Sequence, residues 1–190
     1  MAELHVLHEG YIRDGGERVG ATVSLILDGE ARIVVDPGLV REPGAILGPL
    51  ARLGMGPGDV TDVVLSHHHP DHTRFAGLFP EARVHDHWAW YRGDRWVARP
   101  AERFALSPHV ELLATPGHTE QDVSTVVRTP EGLVVLTHLW WHAGGPAEDP
   151  YAPDPSVLHA SRERVLALPG LIRIVPGHGP PFAPSPHTPR

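Results

Sequence analysis

The 190-residue chain contains no cysteine, no lysine and no asparagine. Without cysteine it has no disulfide, no thiol nucleophile and no thiolate ligand for a metal ion. Without lysine it lacks the amine for Schiff-base chemistry and the lysine of a phosphate-binding P-loop. These absences exclude several catalytic classes and leave imidazole and carboxylate groups as the main chemical resources.

Long apolar runs and an excess of positive charge are missing as well. The mean hydropathy is −0.17, and no uncharged apolar run is long enough to predict a membrane span. The first residues lack the basic and apolar regions of a secretory signal, so we expect a cytoplasmic protein without membrane contact. Because the net charge is −7 and the sixteen arginines are scattered, we expect a small-molecule substrate rather than nucleic acid. The sequence leaves open whether the protein forms an oligomer.

The length fits one globular domain, which we place at residues 1–182. Residues 183–190 are rich in proline, and we expect a frayed tail there. Segments 19–27 and 31–35 are β-branched and apolar on either side of Asp28-Gly29, which predicts a hairpin. Helices are predicted at 43–53, 71–78 and 155–168, and further strands at 60–65, 82–85, 110–114, 123–128, 133–136 and 172–175. This order favours an α+β domain or a layered αββα arrangement.

Histidine is abundant, with 15 copies, and four potential metal ligands fall within six residues. His67 and His69 lie two apart on a predicted extended segment, so they share a face. Asp71 and His72 follow at the start of the presumed helix. Imidazole and carboxylate at the end of a strand suit zinc, iron or manganese, and no soft ligand is available for copper(I).

Two later turns also carry a candidate histidine ligand, because His118 and His178 each follow a Pro-Gly pair that ends a predicted strand. Loops at strand ends are where scaffolds often place chemistry. The His-x-His-x-Asp-His run with these two histidines resembles the metallo-β-lactamase superfamily over nearly the whole chain. It is particularly similar to the branch of small metallo-β-lactamase-domain-containing hydrolases. Asp36-Pro37-Gly38 matches the family's Asp-x-Gly turn.

The resemblance implies a four-layer αββα sandwich with a metal site at one edge, between the two sheets. Asp36 would orient a ligand histidine through its ring N–H. Two metal ions are implied, each with three ligands: His67, His69 and His118 for the first, and Asp71, His72 and His178 for the second.

One position departs from the family pattern. Where the family supplies a bridging aspartate after the strand at 133–136, this chain has His138. Two divalent ions about 3.5 Å apart repel by roughly 19 kcal/mol at an effective dielectric of 20, and an anionic bridge offsets this. A neutral imidazole has one lone pair to give and cannot bridge. We favour terminal ligation of one metal by His138; a hydroxide as the sole bridge, a weak second site, and a rim residue without metal contact are the alternatives.

The resemblance and the ligand set predict a metal-dependent hydrolase with two zinc ions per chain, with iron or manganese as alternative metals. A metal-activated water would attack a small ester, thioester or lactone. Asp71 is the expected catalytic residue, because it would bind metal and orient the nucleophile. Trp140 and Trp141 follow His138 directly and are candidates for an apolar substrate wall, with core packing or a dimer contact as the alternative.

Other functions stay open at this stage. Another branch of the superfamily uses two histidines and one aspartate to bind iron and oxidise persulfides, so a mononuclear iron oxygenase is one alternative. A phosphodiesterase or nuclease is the second alternative, because animal members of the similar branch are described as nucleases. The acidic chain gives this alternative no electrostatic support. A binding module with a decayed metal site is the third.

Overall fold

The computed structural model describes residues 1–190 and contains fourteen strands and three α-helices. The strands are β1 (Glu3–His8), β2 (Tyr11–Arg13), β3 (Arg18–Gly20), β4 (Val23–Asp28), β5 (Ala31–Val35), β6 (Asp62–Val64), β7 (Arg83–His85), β8 (Ala89–Arg92), β9 (Arg95–Ala98), β10 (Phe104–Ser107), β11 (Val110–Ala114), β12 (Val123–Arg128), β13 (Leu133–Thr137) and β14 (Leu171–Pro176). The helices are α1 (Gly44–Arg52), α2 (Pro70–Thr73) and α3 (Pro155–Leu166). None of the three is long and apolar enough to cross a membrane.

Two sheets carry most of the strands. The first has seven strands in the order β1-β4-β5-β6-β7-β8-β9, the second has five in the order β10-β11-β12-β13-β14, and β2 and β3 form a separate hairpin. Strands β5, β6 and β7 run parallel to one another, and β13 runs parallel to β14. Because the carboxyl ends of parallel strands meet at the same edge of a sheet, the segments after these strands collect at one edge.

Both faces of each sheet are buried, which explains why the central strands read as apolar runs. In β4, Leu25 packs with Leu50 of α1 on one side, and Ile26 packs toward the second sheet on the other. In the second sheet, Val135 packs with Leu158 of α3. Full burial of a side chain of this size stabilises the fold by roughly 1.5–3 kcal/mol. The layer order is therefore α1, sheet, sheet, α3, and the αββα sandwich predicted from the sequence is confirmed.

Several elements differ from the sequence prediction. The helix expected at 71–78 is one short α-helical segment, Pro70–Thr73, followed by a 3-10 turn at Ala76–Leu78. Strands β1, β2, β8, β9 and β10 were not predicted. Strands β8 and β9 lie at one margin of the first sheet and mix arginine with tryptophan, so they lack the apolar pattern of a buried strand.

The C-terminal segment, for which we expect a frayed tail at residues 183–190, contacts the domain at Phe182 and again at Thr188 and Pro189. Phe182 pairs with Ile174 of β14 through two backbone hydrogen bonds, and Thr188 is buried. Trp140 donates from Nε1 to the backbone oxygen of Pro189 at 2.8 Å. A buried indole N–H needs an acceptor, and the tail supplies it.

Candidate metal centre

Five loops at one edge of the sandwich carry the residues that the sequence pattern singled out. Asp36 directly follows β5, and residues 66–72 follow β6. His118, His138 and His178 follow β11, β13 and β14. Strand β11 is antiparallel to β12, which is antiparallel to β13, so β11 and β13 run in the same direction. The topology thus brings segments more than 100 residues apart to one place.

The turn after β5 is pressed against the histidine-rich loop. Asp36 has φ 50°, and its Oδ1 accepts a hydrogen bond of 2.7 Å from the backbone N–H of Ser66. Its Oδ2 lies 2.9 Å from Nδ1 of His72. A Cβ added to Gly38 would lie 1.7 Å from the backbone oxygen of Asp71, so only glycine permits this approach. The Asp-Pro-Gly turn therefore positions the loop as well as one imidazole.

All seven predicted ligands converge in three overlapping groups, and within each group the ligand atoms lie within 4.8 Å of one another. Both proposed sets of three ligands are therefore complete. The groups are His67, His69 and His118; Asp71, His72 and His178; and His67, His72 and His138.

The spacing of the donor atoms suits metal coordination. Nε2 of His118 lies 3.0 Å from Nδ1 of His69. Oδ2 of Asp71 lies 3.5 Å from Nε2 of His72 and 3.5 Å from Nε2 of His178. Two ligand atoms bound tetrahedrally to zinc at roughly 2.0–2.1 Å lie about 3.3 Å apart. The residues present therefore fit a divalent ion at either end of the cluster.

Hydrogen bonds fix the tautomer of three of the imidazoles. In each case Nδ1 faces a carboxylate or carbonyl oxygen, which can only accept, so Nδ1 donates its proton and Nε2 is left to face the cluster. The acceptors are Asp36 for His72 at 2.9 Å, Asp149 for His118 at 2.8 Å and the carbonyl of Gly20 for His178 at 3.0 Å.

Three imidazoles inside the cluster resist protonation, and a fourth, His72, does not. Burial, reinforced by the neighbouring imidazoles, lowers the pKa of His67 and of His138 well below the usual value. Burial and His72 lower the pKa of His178 to about 4. Burial also opposes protonation of His72, but the carboxylates of Asp36 and Asp71 outweigh it and raise the His72 pKa. Neutral imidazoles offer lone pairs, and those lone pairs favour a cation.

Two ring nitrogens within the cluster have no hydrogen-bond partner although they are buried: Nε2 of His67 and Nδ1 of His138. A buried polar atom without a partner is costly and needs an explanation. His67 binds Ser66 through its other nitrogen at 3.0 Å, so its free Nε2 is the atom that could bind a metal. This free atom is a second sign that the site suits a metal ion.

His138 lies inside the cluster and not at its rim. Its side chain is buried, and its ring centroid lies 4.2 Å from that of His118 and 4.5 Å from that of His67. Nε2 of His138 lies 3.1 Å from Nε2 of His178. A Cβ on Gly177 would lie 2.3 Å from the His138 ring, so this glycine makes room for it. The geometry is compatible with His138 as a ligand.

Asp149 is a site residue that the sequence analysis missed. It is buried in the loop between β13 and α3, and its Oδ2 also accepts a 2.9 Å hydrogen bond from Nε1 of Trp141. These bonds outweigh the effect of burial and lower the Asp149 pKa. Asp149 is 31 residues from His118, and no local motif links the two.

The two tryptophans after His138 have different surroundings, and the prediction for Trp140 is wrong. Trp140 is fully buried and packs against Phe182. Trp141 lies 6.0 Å from the His118 ring and stacks on Tyr151 at 5.8 Å. Of the two tryptophans, only Trp141 therefore lies beside the candidate centre, next to Tyr151, which is 65% exposed.

Comparisons with known proteins agree with this architecture. The profile of the metallo-beta-lactamase superfamily matches residues 16–182. Metallo-beta-lactamase domain-containing protein 1 of Xenopus laevis is 34% identical over 189 residues, covering 94% of this chain and 80% of the relative. The branch resemblance seen in the sequence is thereby confirmed.

Two solved structures share the fold. A protein of metallo-beta-lactamase type from Thermotoga maritima has a TM-score of 0.77 and 22% identity, covering 96% of this chain and 99% of its own. An N-acyl homoserine lactone hydrolase, solved with N-hexanoyl-L-homoserine at its catalytic metal centre, has a TM-score of 0.67 and 19% identity, with 93% and 92% coverage. The family match covers most of the sequence, and the chain therefore belongs to the metallo-β-lactamase superfamily.

Proposed function

We propose that this protein is a metal-dependent hydrolase of small esters, thioesters or lactones. The observation that carries the proposal is the convergence of six imidazoles and Asp71 in three groups of closely spaced donor atoms. A lactone hydrolase with the same fold holds its product at a metal centre, which supports a carbonyl substrate for this site. The net charge of −7 gives a nucleic-acid substrate no support.

We assign two zinc ions to the site. When bound, such ions lower the pKa of coordinated water toward neutrality and polarise a substrate carbonyl. The ligands would be His67, His69 and His118 for one ion, and Asp71, His72 and His178 for the other. His138 would be a terminal ligand beside His67 and His72, because a neutral imidazole cannot bridge two cations.

The protein's own groups have distinct tasks in this proposal. Asp36 and Asp149 hold two imidazoles in the tautomer whose Nε2 faces the site. Asp71 is the only carboxylate among the seven ligands, and its side chain is 19% exposed, so it can also accept a hydrogen bond from the attacking water. Trp141 and Tyr151 would exclude solvent from one side and pack against the acyl part of the substrate.

The test combines metal content with chelator-sensitive turnover. We expect two zinc ions per chain by elemental analysis, and hydrolysis of an ester, thioester or lactone panel that a chelator abolishes and zinc restores. His69→Ala should lose metal and turnover. His68→Ala is the matched control, because His68 turns away from the cluster and lies 3.3 Å from Asp86.

Other results would replace the proposal. One iron per chain, with oxygen consumed in the presence of a persulfide, would make the protein a mononuclear iron oxygenase. Faster turnover of bis-4-nitrophenyl phosphate than of every carbonyl substrate would indicate a phosphodiesterase. A metal-free protein without turnover would indicate a binding module.

A further inference from the structure

A cavity of about 510 Å³ lies beside the candidate metal centre, between the β2–β3 hairpin and the loop after β13. The hairpin contributes Tyr11 and Arg13 to its lining, and the loop contributes Trp141 and His142. His178 closes the side nearest the metal ligands. A volume in this range suits a small-molecule ligand, so the cavity is large enough for the part of a substrate that does not react.

Arg13 is the only arginine in this lining, and no aspartate or glutamate accompanies it. The adjacent carboxylate, Asp14, lies 3.8 Å from Arg18, so it pairs with that arginine and not with Arg13. The other nitrogen bases in the lining are the imidazoles of His142 and His178. The cavity of this acidic protein therefore presents one permanent positive charge without a carboxylate partner.

Arg13 is exposed on the hairpin, and its guanidinium packs on a neighbouring aromatic ring. Its central carbon lies 4.5 Å from the centre of the Tyr11 ring, a cation–π contact. Tyr11 pairs with Gly20 across the hairpin, and a Cβ on Gly20 would lie 2.9 Å from the Tyr11 ring. The carbonyl of Gly20 in turn accepts the hydrogen bond from Nδ1 of His178. A short chain of contacts thus links the charge to the candidate centre.

We propose that this cavity binds the non-reacting end of an acyl substrate and that Arg13 binds a carboxylate on that end. The proposal rests on the proposed hydrolase function and narrows its substrate class to esters, thioesters or lactones whose acyl part carries a second, anionic group. A guanidinium presents a planar fork of N–H donors that matches a carboxylate, which makes it selective for such a group.

The test uses 4-nitrophenyl monoesters of succinate, glutarate and adipate, each compared with the same compound capped as its methyl ester. The series varies the distance between the reacting carbonyl and the carboxylate. We expect the wild-type protein to prefer the free acid by roughly tenfold or more in kcat/KM for at least one length. Arg13→Gln should bring that ratio close to one. Arg18→Gln is the matched control from the same hairpin and should keep the wild-type ratio.

The proposal is overturned if the wild-type ratio stays near one for every length, or if Arg13→Gln retains the preference. If no ester is hydrolysed in a chelator-sensitive way, the hydrolase function has failed, and the subsite is judged by binding alone. Calorimetry with monomethyl glutarate and the metal-loaded protein then decides. Loss of binding in Arg13→Gln but not in Arg18→Gln supports the subsite, and equal or no binding in all three proteins overturns it.

Discussion

At the scale of single residues, the candidate centre depends on groups that do not touch a metal themselves. Asp36, Asp149 and the Gly20 carbonyl each accept a hydrogen bond from the Nδ1–H of an imidazole and so determine which ring nitrogen faces the cluster. Asp149 does more, because it also binds the indole of Trp141 and the backbone N–H of Tyr151. One carboxylate thereby links a metal ligand to the proposed substrate wall.

Replacing Asp149 should therefore weaken metal binding. We expect Asp149→Asn to lower the affinity for zinc by about 10- to 100-fold, since the loss of a carboxylate behind a ligand histidine reduces its basicity and order. Competition with a chromogenic chelator would measure this. Glu148→Gln is the control, because Glu148 is exposed in the same loop. Equal zinc affinity in both variants would contradict the role of Asp149.

His138 is the second residue whose role can be tested directly. A carboxylate at this position would add the negative charge that a neutral imidazole lacks between two cations. We expect His138→Asp to bind the second zinc ion at least tenfold more tightly, measured as metal per chain after dialysis against graded zinc concentrations. No gain in second-site occupancy would mean that charge at position 138 does not limit the second site.

At the scale of elements, a buried carboxylate with several hydrogen bonds links two strands of the first sheet, one of which leads to the metal ligands at residues 67–72. Asp62 of β6 lies 2.8 Å from Arg83 and 2.8 Å from His85, both on β7, and accepts a 2.7 Å bond from Thr61. Burial raises the pKa of Asp62, but these hydrogen bonds outweigh it and leave the pKa below the usual value. The network reinforces the parallel pair β6–β7, from which the loop at 66–72 emerges.

Asp62→Asn should destabilise the fold by about 1–3 kcal/mol at pH 7, because it removes the charge that strengthens the hydrogen bonds to a buried carboxylate. The folded-state pKa lies below that of the unfolded chain, so ionised Asp62 stabilises the fold above about pH 4. That contribution disappears as the pH falls through the folded-state pKa, and the two proteins should converge in acid. Urea unfolding between pH 7 and pH 3 would measure both effects. Asp94→Asn, at the exposed β8–β9 turn, should behave like wild type throughout.

At the scale of the whole molecule, the candidate centre joins the two sheets. Its ligands come from the first sheet through residues 67–72 and from the second through His118, His138 and His178. A metal ion bound by residues from both sheets would stabilise the folded state only, because the unfolded chain does not hold these groups together. Stability should then depend on metal concentration.

Removing the metal should therefore lower the melting temperature. At a free concentration of about 1,000 Kd, one bound ion contributes roughly 4 kcal/mol. For a domain of this size, that corresponds to about 8–16 °C. Differential scanning fluorimetry with and without chelator, followed by zinc addition, would measure the shift. His67→Ala should show a smaller response and His68→Ala the full response; an identical melting temperature with and without chelator would contradict metal binding.

Much of this protein could be read from local sequence. The β-branched, apolar segments of β4 and β5, the turn between them and the order of strands and helices favoured an α+β or layered αββα domain, and the family resemblance implied the αββα sandwich. The four ligands at 67–72 lie close together because they fall within one short segment, and their spacing sets the direction in which each side chain points. The Pro-Gly turns singled out His118 and His178, the family resemblance assigned each to a metal position, and the structure brings both to the same edge.

Other features depended on contacts between distant segments. The tertiary structure alone brought Asp149 behind His118, buried Trp140 while leaving Trp141 beside the site, packed the C-terminal tail and placed Arg13 at the cavity. Spacing along the chain sets the relative directions of neighbouring side chains. A contact between residues 31 positions apart, such as Asp149 and His118, depends instead on how all the layers pack together. The sequence by itself therefore determined the ligand types and the fold class, and the packed structure decided which groups orient those ligands and which ones line the cavity.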